Sequence, residues 1–322
     1  MSIFFYSNIF KHKFKLFSVY LIFLSFIFFL STRVYAQCFS FIPYAHNGVF
    51  SHLPKNKEFC ITINNLNYYF KTSINSSRLI SKNTDSQNII YSFGDSQMLG
   101  IDWTYEKNKP HDLEIIFKTK KISIFAAPNN GPFQAISQAK SVFRKGNTTK
   151  VSQLVFSFNF GTDIFRIQEK WDLQNFIPIK SEDLDKVLIN PLIYDLVLLK
   201  GVLSGKFFST NLPDNQSIIN EFKKLNFYET EKRINLWINK IKRLKEKTSK
   251  DFFLVIYPPY WIFDRNGLII DKKIHEHFIK FTKNVSNRNI FNKVYIGNLL
   301  QKNFLTFDKR HFKTGSLFYT SK

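Results

Sequence analysis

The chain is poor in cysteine, and this scarcity narrows the kinds of site that it can hold. Only Cys38 and Cys60 occur among 322 residues. Neither stands at a metal-ligand spacing from a histidine. We predict no metal site and no cofactor. The two thiols can pair across a loop of roughly 20 residues, which contributes about 3 kcal/mol to stability, or they can remain unpaired.

Acidic residues are also scarce, and the chain is strongly basic as a result. It has 24 Asp and Glu against 46 Lys and Arg, which gives a formal net charge of +22. An excess of this size is typical of proteins that bind a nucleic acid, an anionic membrane surface or an acidic polymer. The lysines are scattered, however, no nucleic-acid motif occurs, and a bias toward Lys, Asn, Ile and Phe runs through the whole sequence. We therefore predict no nucleic-acid partner.

Repeats and low-complexity segments are absent, but apolar residues are plentiful. Hydrophobic residues make up 44% and aromatic residues 17% of the chain, including 38 Phe. That content supplies a hydrophobic core and argues against a disordered protein.

The first 36 residues have the composition of an export signal. Residues 11–15 carry three lysines, residues 16–30 form an apolar run, and residues 34–36 precede Gln37. The run is shorter than the roughly 20 residues that span a bilayer, although Phe-rich segments of this kind can stay uncleaved as anchors. We predict an exported protein, periplasmic or secreted, with residues 1–36 as a signal peptide or an N-terminal membrane anchor.

Residues 37–87 are predicted to form a small β-rich lead-in segment. Phe59–Ile63 and Tyr68–Lys71 alternate apolar and polar side chains, which favours a hairpin. A polar loop over residues 81–87 follows.

Beyond residue 87 the pattern changes to short apolar runs separated by helical stretches. Such alternation indicates βαβ units and a parallel sheet. The runs are nearly continuous, as expected for strands buried on both faces. They are Ile89–Phe93, Ile122–Ala127, Leu154–Phe158, Phe252–Tyr257 and Val294–Ile296. The helical stretches are Gln134–Arg144, Ile218–Phe227 and Glu231–Lys247.

Four of the five runs are followed by chemically unusual loops. These are Gly94-Asp95-Ser96, Pro128-Asn129-Asn130-Gly131, Asn159-Phe160-Gly161-Thr162-Asp163 and Pro258-Pro259-Tyr260-Trp261. Ligands of open parallel sheets bind outside the carboxyl ends of the strands. We therefore expect these loops to converge on one edge of the sheet.

Ser96 is the candidate nucleophile. It lies where a buried strand meets a predicted helix, so its backbone amide and the helix dipole can face a developing oxyanion. The alternative role is a plain helix N-cap. Serine also needs a base, and Asp308 and His311 near the C-terminus supply one with its orienting carboxylate, just before a predicted last helix.

These motifs, in this order, resemble those of the SGNH, or GDSL-type, hydrolases over residues 88–322. The resemblance implies a three-layer α/β/α sandwich with a short parallel sheet of flavodoxin-like type, and a helical insertion at about residues 164–250. It implies a Ser-His-Asp triad of Ser96, His311 and Asp308, and an oxyanion hole that includes the amides of Ser96 and Gly131.

The third block departs from the family pattern, which has Asn before Asp. Here Thr162 precedes Asp163, so either Thr162 or Asn159 is the side-chain donor of the oxyanion hole. Loss of one such donor typically lowers the rate about 100-fold to 1000-fold.

The predicted function is that of an exported serine esterase that cleaves O-acyl, chiefly O-acetyl, esters of a small molecule or a polysaccharide. Tyr260 and Trp261 are predicted to bind substrate because they follow a strand end. One alternative is an O-acetyltransferase of a cell-surface or exopolysaccharide with the same triad. Another is a non-catalytic polysaccharide-binding or assembly protein on the same fold.

Overall fold

The structure is a computed structural model that describes thirteen ranges of the chain. The described residues are 17–27, 37–63, 65–80, 89–100, 110–118, 121–145, 150–167, 179–203, 215–262, 269, 271–299, 312–313 and 315–322.

A sheet of seven strands forms the centre of the described fold. Its spatial order is β11-β10-β9-β8-β6-β7-β5. The strands are β5 (Arg78–Leu79), β6 (Ile89–Phe93), β7 (Lys121–Ile124), β8 (Val151–Asn159), β9 (Asp251–Tyr257), β10 (Lys293–Leu299) and β11 (Leu317–Ser321). The five inner strands are parallel, and each edge strand is antiparallel to its neighbour. The protein is therefore an α/β protein with a mostly parallel sheet, as predicted.

The five predicted apolar runs are the five inner strands, and their order in the sheet is second, first, third, fourth, fifth. Strand β6 pairs on one side with β7 and on the other with β8. After β6 the chain forms β7 on one side of it and then crosses back to form β8 on the other side. The direction in which strands are added to the sheet therefore reverses at β6. In open α/β sheets the crevice beside such a reversal is where ligands bind.

Burial explains why these strands lack an alternating pattern. All residues from Phe252 to Tyr257 of β9 are buried, since both faces of the strand are covered. The ring of Phe93 stacks between Phe125 and Phe156, with ring centroids 5.3 and 5.6 Å away. The core therefore lies on both sides of the sheet.

Nine helices of the described ranges lie between residues 96 and 286 of the chain. They are α1 (Ser96–Leu99), α2 (Asp112–Ile116), α3 (Pro132–Lys145), α4 (Phe160–Arg166), α5 (Leu184–Val187), α6 (Pro191–Leu203), α7 (Asn215–Lys223), α8 (Phe227–Thr248) and α9 (Lys272–Ser286). Helix α8 buries an apolar stripe that was predicted, consisting of Ile234, Trp237, Ile238, Ile241 and Leu244.

The predicted last helix is wrong. The chain after Phe312 forms strand β11, which pairs antiparallel with β10 from Leu299↔Leu317 to Tyr295↔Ser321. Leu317, Phe318, Tyr319 and Thr320 favour strands, and the exposed edge of β10 offers the backbone partners.

The lead-in segment forms the predicted hairpin, with β3 (Glu58–Ile63) antiparallel to β4 (Leu66–Lys71). A shorter pair, β1 (Ala45–His46) and β2 (Ser51–His52), precedes it. Cys38 and Cys60 are disulfide-bonded, so the paired alternative is confirmed. Strand β5, at the end of this segment, belongs to the central sheet, and the lead-in and the larger sheet are therefore continuous.

Residues 17–27 are helical and expose most of their apolar side chains, among them Phe17, Val19 and Ile22. Within the described ranges, no helix has the length and apolar character needed to cross a bilayer. The remaining residues of the predicted signal or anchor lie outside the described ranges.

Candidate active site

Ser96 lies at the carboxyl end of β6, as the first residue of helix α1. The N-cap of this helix is Asp95, whose Oδ1 accepts a hydrogen bond from the Gln97 amide at 2.9 Å. The alternative role of Ser96 as the cap is therefore wrong. Asp95 and Gln97 are each 2% exposed, whereas Ser96 between them is half-buried. Among these three residues, only the serine is accessible to solvent.

Gly94 is required by close packing between neighbouring strands. A Cβ atom at this position would overlap Ser157 Oγ of β8 and would lie 3.1 Å from the Met98 Cβ. Because α1 and β8 leave no room for a side chain, the Gly-Asp-Ser turn holds Ser96 directly against the adjacent strand.

The carboxylate of Asp95 joins the first and third polar loops. Its Oδ2 atom lies 3.3 Å from Asn159 Nδ2 and 3.4 Å from Thr162 Oγ1, both of which donate to it. Asn159 ends β8 and caps helix α4, since its Oδ1 accepts from the Gly161 amide at 3.2 Å. The two candidate oxyanion donors therefore converge on one buried carboxylate beside Ser96.

A second buried carboxylate, Asp163, lies close to the first. Its Oδ2 accepts from the Asn159 amide at 2.8 Å, and its Oδ1 has no hydrogen-bond partner among the described residues. Burial, and then the charge of Asp95, raise the pKa of Asp163 well above its usual range, against the smaller opposing effects of Arg166 and the Asn159 amide. Asp163 thus keeps its proton to higher pH than an ordinary aspartate.

Gly131 lies in the loop after β7, on the same edge of the sheet. The side chain of the preceding residue, Asn130, anchors the loop to the lead-in by accepting from the Ser51 amide at 2.7 Å and donating to the Ser51 carbonyl at 3.1 Å. A Cβ atom at Gly131 would lie 3.0 Å from the Arg166 carbonyl oxygen. The loop is therefore held between the lead-in and helix α4.

The C-terminal part of the chain reaches this site through Phe312. Gln97 Nε2 donates to the Phe312 carbonyl at 3.2 Å, and the Phe312 amide donates to Gln97 Oε1 at 2.8 Å. Asp308 and His311, the predicted orienting carboxylate and base, lie outside the described residues.

Tyr260 and Trp261 form a short 3₁₀ turn after β9. The Trp261 indole nitrogen donates to the Gly161 carbonyl at 2.8 Å. A Cβ atom at Gly161 would lie 3.0 Å from the Tyr260 ring. Trp261 is 0% and Tyr260 4% exposed, so here the two rings support helix α4 and present no open face. Their binding of substrate stays a prediction.

Sequence reasoning missed a buried arginine that supports the far end of α1. Arg78, which is 0% exposed, donates from Nη1 to the carbonyls of Leu99 and Gly100 at 2.5 and 2.6 Å. Its guanidinium lies 3.7 Å from the centroid of the Phe70 ring. Leu99 and Gly100 are 21 and 22 residues away from Arg78 in the chain, so no local sequence pattern predicts these hydrogen bonds.

His111 lies beside this arginine and is also buried. Its Nδ1 accepts from the Leu113 amide at 3.1 Å and caps helix α2. Burial, and then the charge of Arg78, lower the pKa of His111 to about 3. The residue is therefore a neutral helix cap.

Comparisons of the chain with protein-family models and with curated protein sequences found no match. Across the described ranges, no group of three or more His, Cys, Asp or Glu side chains gathers in the way that metal ligands do.

Proposed function

We propose that the protein is an exported serine esterase of the SGNH type that cleaves O-acyl esters, with a polysaccharide as the acyl-bearing substrate. One observation carries the proposal. The half-buried Ser96 lies at the reversal point of the sheet, and its neighbour Gln97 is hydrogen-bonded to both backbone groups of Phe312. Phe312 follows His311 in the chain, so the described residue next to the proposed base is bonded to the neighbour of the proposed nucleophile.

In the proposed reaction, Ser96 Oγ attacks the ester carbonyl carbon while His311 takes the hydroxyl proton. Asp308 holds the imidazole in the required tautomer. The C–O bond to the leaving alcohol then breaks, and His311 returns the proton to the departing oxygen. Water then attacks the acyl carbonyl carbon while His311 takes its proton. The bond from that carbon to Ser96 Oγ breaks, His311 returns the proton to Oγ, and the acid leaves.

The oxyanion is stabilised by the amides of Ser96 and Gly131 and by one side chain. Asn159 suits this role better than Thr162 because of their hydrogen counts. The amide of Asn159 carries two N–H bonds, so that one can remain on Asp95 while the other faces the oxyanion. Thr162 has a single hydroxyl proton, which it already shares with Asp95.

A fluorophosphonate probe tests the nucleophile directly. We expect covalent labelling of the purified wild-type protein and no labelling of Ser96→Ala or His311→Ala. A matched control is Ser152→Ala, which alters a half-buried serine on β8. A wild-type protein that folds but is not labelled would overturn the proposal.

A second assay separates hydrolysis from acyl transfer. Release of p-nitrophenol and of free acetate from p-nitrophenyl acetate is followed, together with acetylation of the acceptor, with and without an oligosaccharide acceptor. An esterase releases acetate at the same rate in both cases. Transfer of the acetyl group to the acceptor would contradict the esterase assignment and favour the transferase.

A further inference from the structure

A cavity of about 310 Å³ lies between the lead-in segment and helices α3 and α5. Its walls include β2, the turn that follows β4, and the inward side of α3. Phe125, directly after β7, also lines it, so the cavity is close to the carboxyl edge of the sheet. The volume is at the lower end of the roughly 300–1,000 Å³ typical of small-molecule sites.

Six neutral polar side chains take part in the lining. Amides and hydroxyls come from Asn47, Asn75, Ser76, Gln138, Ser141 and Ser181. Such groups both donate and accept hydrogen bonds, which matches ligand hydroxyls. The two formal charges, on Lys55 and Asp185, are opposite in sign. The cavity therefore suits a neutral polyhydroxylated ligand better than an anion.

Apolar side chains complete the walls. Ile74, Val142 and Leu184 contribute aliphatic surface beside the polar groups. A sugar ring presents hydroxyls at its rim and C–H bonds on its faces, so it requires walls of both kinds. The combination of walls favours a saccharide over a purely apolar ligand.

One wall is fixed in advance by a histidine and a serine. His52 Nδ1 lies 2.9 Å from the Leu53 carbonyl, and His52 Nε2 lies 2.7 Å from Ser181 Oγ. A carbonyl only accepts, so Nδ1 carries the hydrogen that points to Leu53. Ser181 Oγ also donates to the His46 carbonyl at 3.0 Å, so this hydroxyl links the His52 ring to the backbone of His46. The two contacts of His52 hold its ring in one orientation beside the cavity.

The same wall is connected to the candidate catalytic loop. Asn130 binds both backbone groups of Ser51 and also donates to Gln138 Oε1 at 3.2 Å. His52 follows Ser51, and Gly131 follows Asn130. The hydrogen-bonded pair of Ser51 and Asn130 therefore links the cavity residue His52 to the proposed oxyanion residue Gly131.

We infer that this cavity binds one sugar unit of a neutral oligosaccharide and is a subsite for the polysaccharide substrate. The role as a subsite rests on the proposed esterase function, whereas saccharide binding does not. The acyl group of one sugar unit is processed at Ser96 while a neighbouring unit occupies the cavity.

Binding is measured on full-length Ser96→Ala protein, which removes turnover. Isothermal titration calorimetry is carried out with four neutral probes, cellotetraose, maltotetraose, tetra-N-acetylchitotetraose and mannotetraose. We expect at least one to bind. Ser141→Trp, which fills the cavity from α3, should weaken that binding by about tenfold or more. Lys140→Trp, one position away and outside the lining, should leave it unchanged within about twofold.

Asp185→Ala provides a second variant, since Asp185 is exposed on α5 and its loss should weaken binding without unfolding the protein. No binding of any of the four probes would overturn the inference, as would equal weakening by Ser141→Trp and Lys140→Trp. Fluorophosphonate labelling of Ser96 in the wild-type protein is measured separately and requires no saccharide. Labelling therefore reports on the proposed function, and calorimetry reports on the cavity.

Discussion

The side chain of Gln97 exchanges two hydrogen bonds with the backbone of Phe312, a residue 215 positions away. Both residues are buried, at 2% and 1% exposure. A side-chain amide matches the N–H and C=O of one residue in the way that a neighbouring strand would. The residue after the candidate nucleophile thus fixes the backbone that follows His311.

Gln97→Ala should therefore affect both stability and reactivity. It leaves the Phe312 N–H and C=O buried without these partners, so we expect a loss of about 1–3 kcal/mol in the free energy of unfolding. The rate of fluorophosphonate labelling should also fall, because the segment next to His311 loses its attachment. Urea unfolding and labelling kinetics measure the two effects.

Ile241→Val is the matched control, since it removes one methylene group from the buried stripe of α8 and costs about 0.5–1.5 kcal/mol. It should leave the labelling rate unchanged. Labelling of Gln97→Ala at the wild-type rate would show that the pair has no part in positioning the base.

Asn159 and Thr162 should differ in their effect on hydrolysis. Asn159→Ala removes the proposed oxyanion donor, and we expect kcat for p-nitrophenyl acetate to fall about 100-fold to 1000-fold. Thr162→Val keeps the side-chain shape and removes one weak hydrogen bond to Asp95, so its effect should stay below about tenfold. The reverse ranking would assign the donor to Thr162.

Asp163 should make stability fall as pH rises. Its pKa is raised in the folded state, so the native protein binds this proton more tightly than the unfolded chain does. This contribution is complete below the ordinary aspartate pKa of about 4 and is lost as pH rises through the native pKa. Urea unfolding between about pH 4 and about pH 8 measures the slope.

Asp163→Asn should remove this part of the pH dependence while keeping an acceptor for the Asn159 amide. Asp251→Asn, at an exposed position in β9, is the control and should retain the wild-type slope. An unchanged slope in Asp163→Asn would contradict the assignment of the raised pKa to Asp163.

A group of basic side chains lies where α3 and α8 meet. Burial first, and then the charges of Lys240, Lys247, Arg144 and Arg243, lower the pKa of Lys140. These positive charges repel one another and oppose the packing of α3 against α8.

Arg243→Gln should therefore raise the melting temperature at low ionic strength, and the gain should shrink as salt screens the repulsion. Arg233→Gln, at an exposed position elsewhere on α8, should give a smaller change. Thermal unfolding in about 10 mM and about 500 mM NaCl provides the comparison. Equal effects of the two variants would show that the group exerts no specific repulsion.

The five inner strands, helix α8 and the hairpin of β3 and β4 were predictable because their signals are local. A continuous apolar run marks a strand buried on both faces, and a stripe at helical spacing marks one buried helix face. Strand β11 was missed because it depends on the free edge of β10, which no pattern within Leu317–Ser321 reveals. Pairing with β10 decides that this segment forms a strand.

The candidate site divides in the same way. The sequence by itself determined which residue types stand at the carboxyl ends of the strands, including the Gly94-Asp95-Ser96 turn, since the order of residues in a loop is local information. Only the tertiary structure decided that β8 lies beside β6, that Asn159 and Thr162 converge on Asp95, and that Gln97 holds Phe312. These contacts join residues 64 to 215 positions apart, and such pairs are selected by the packing of the whole core.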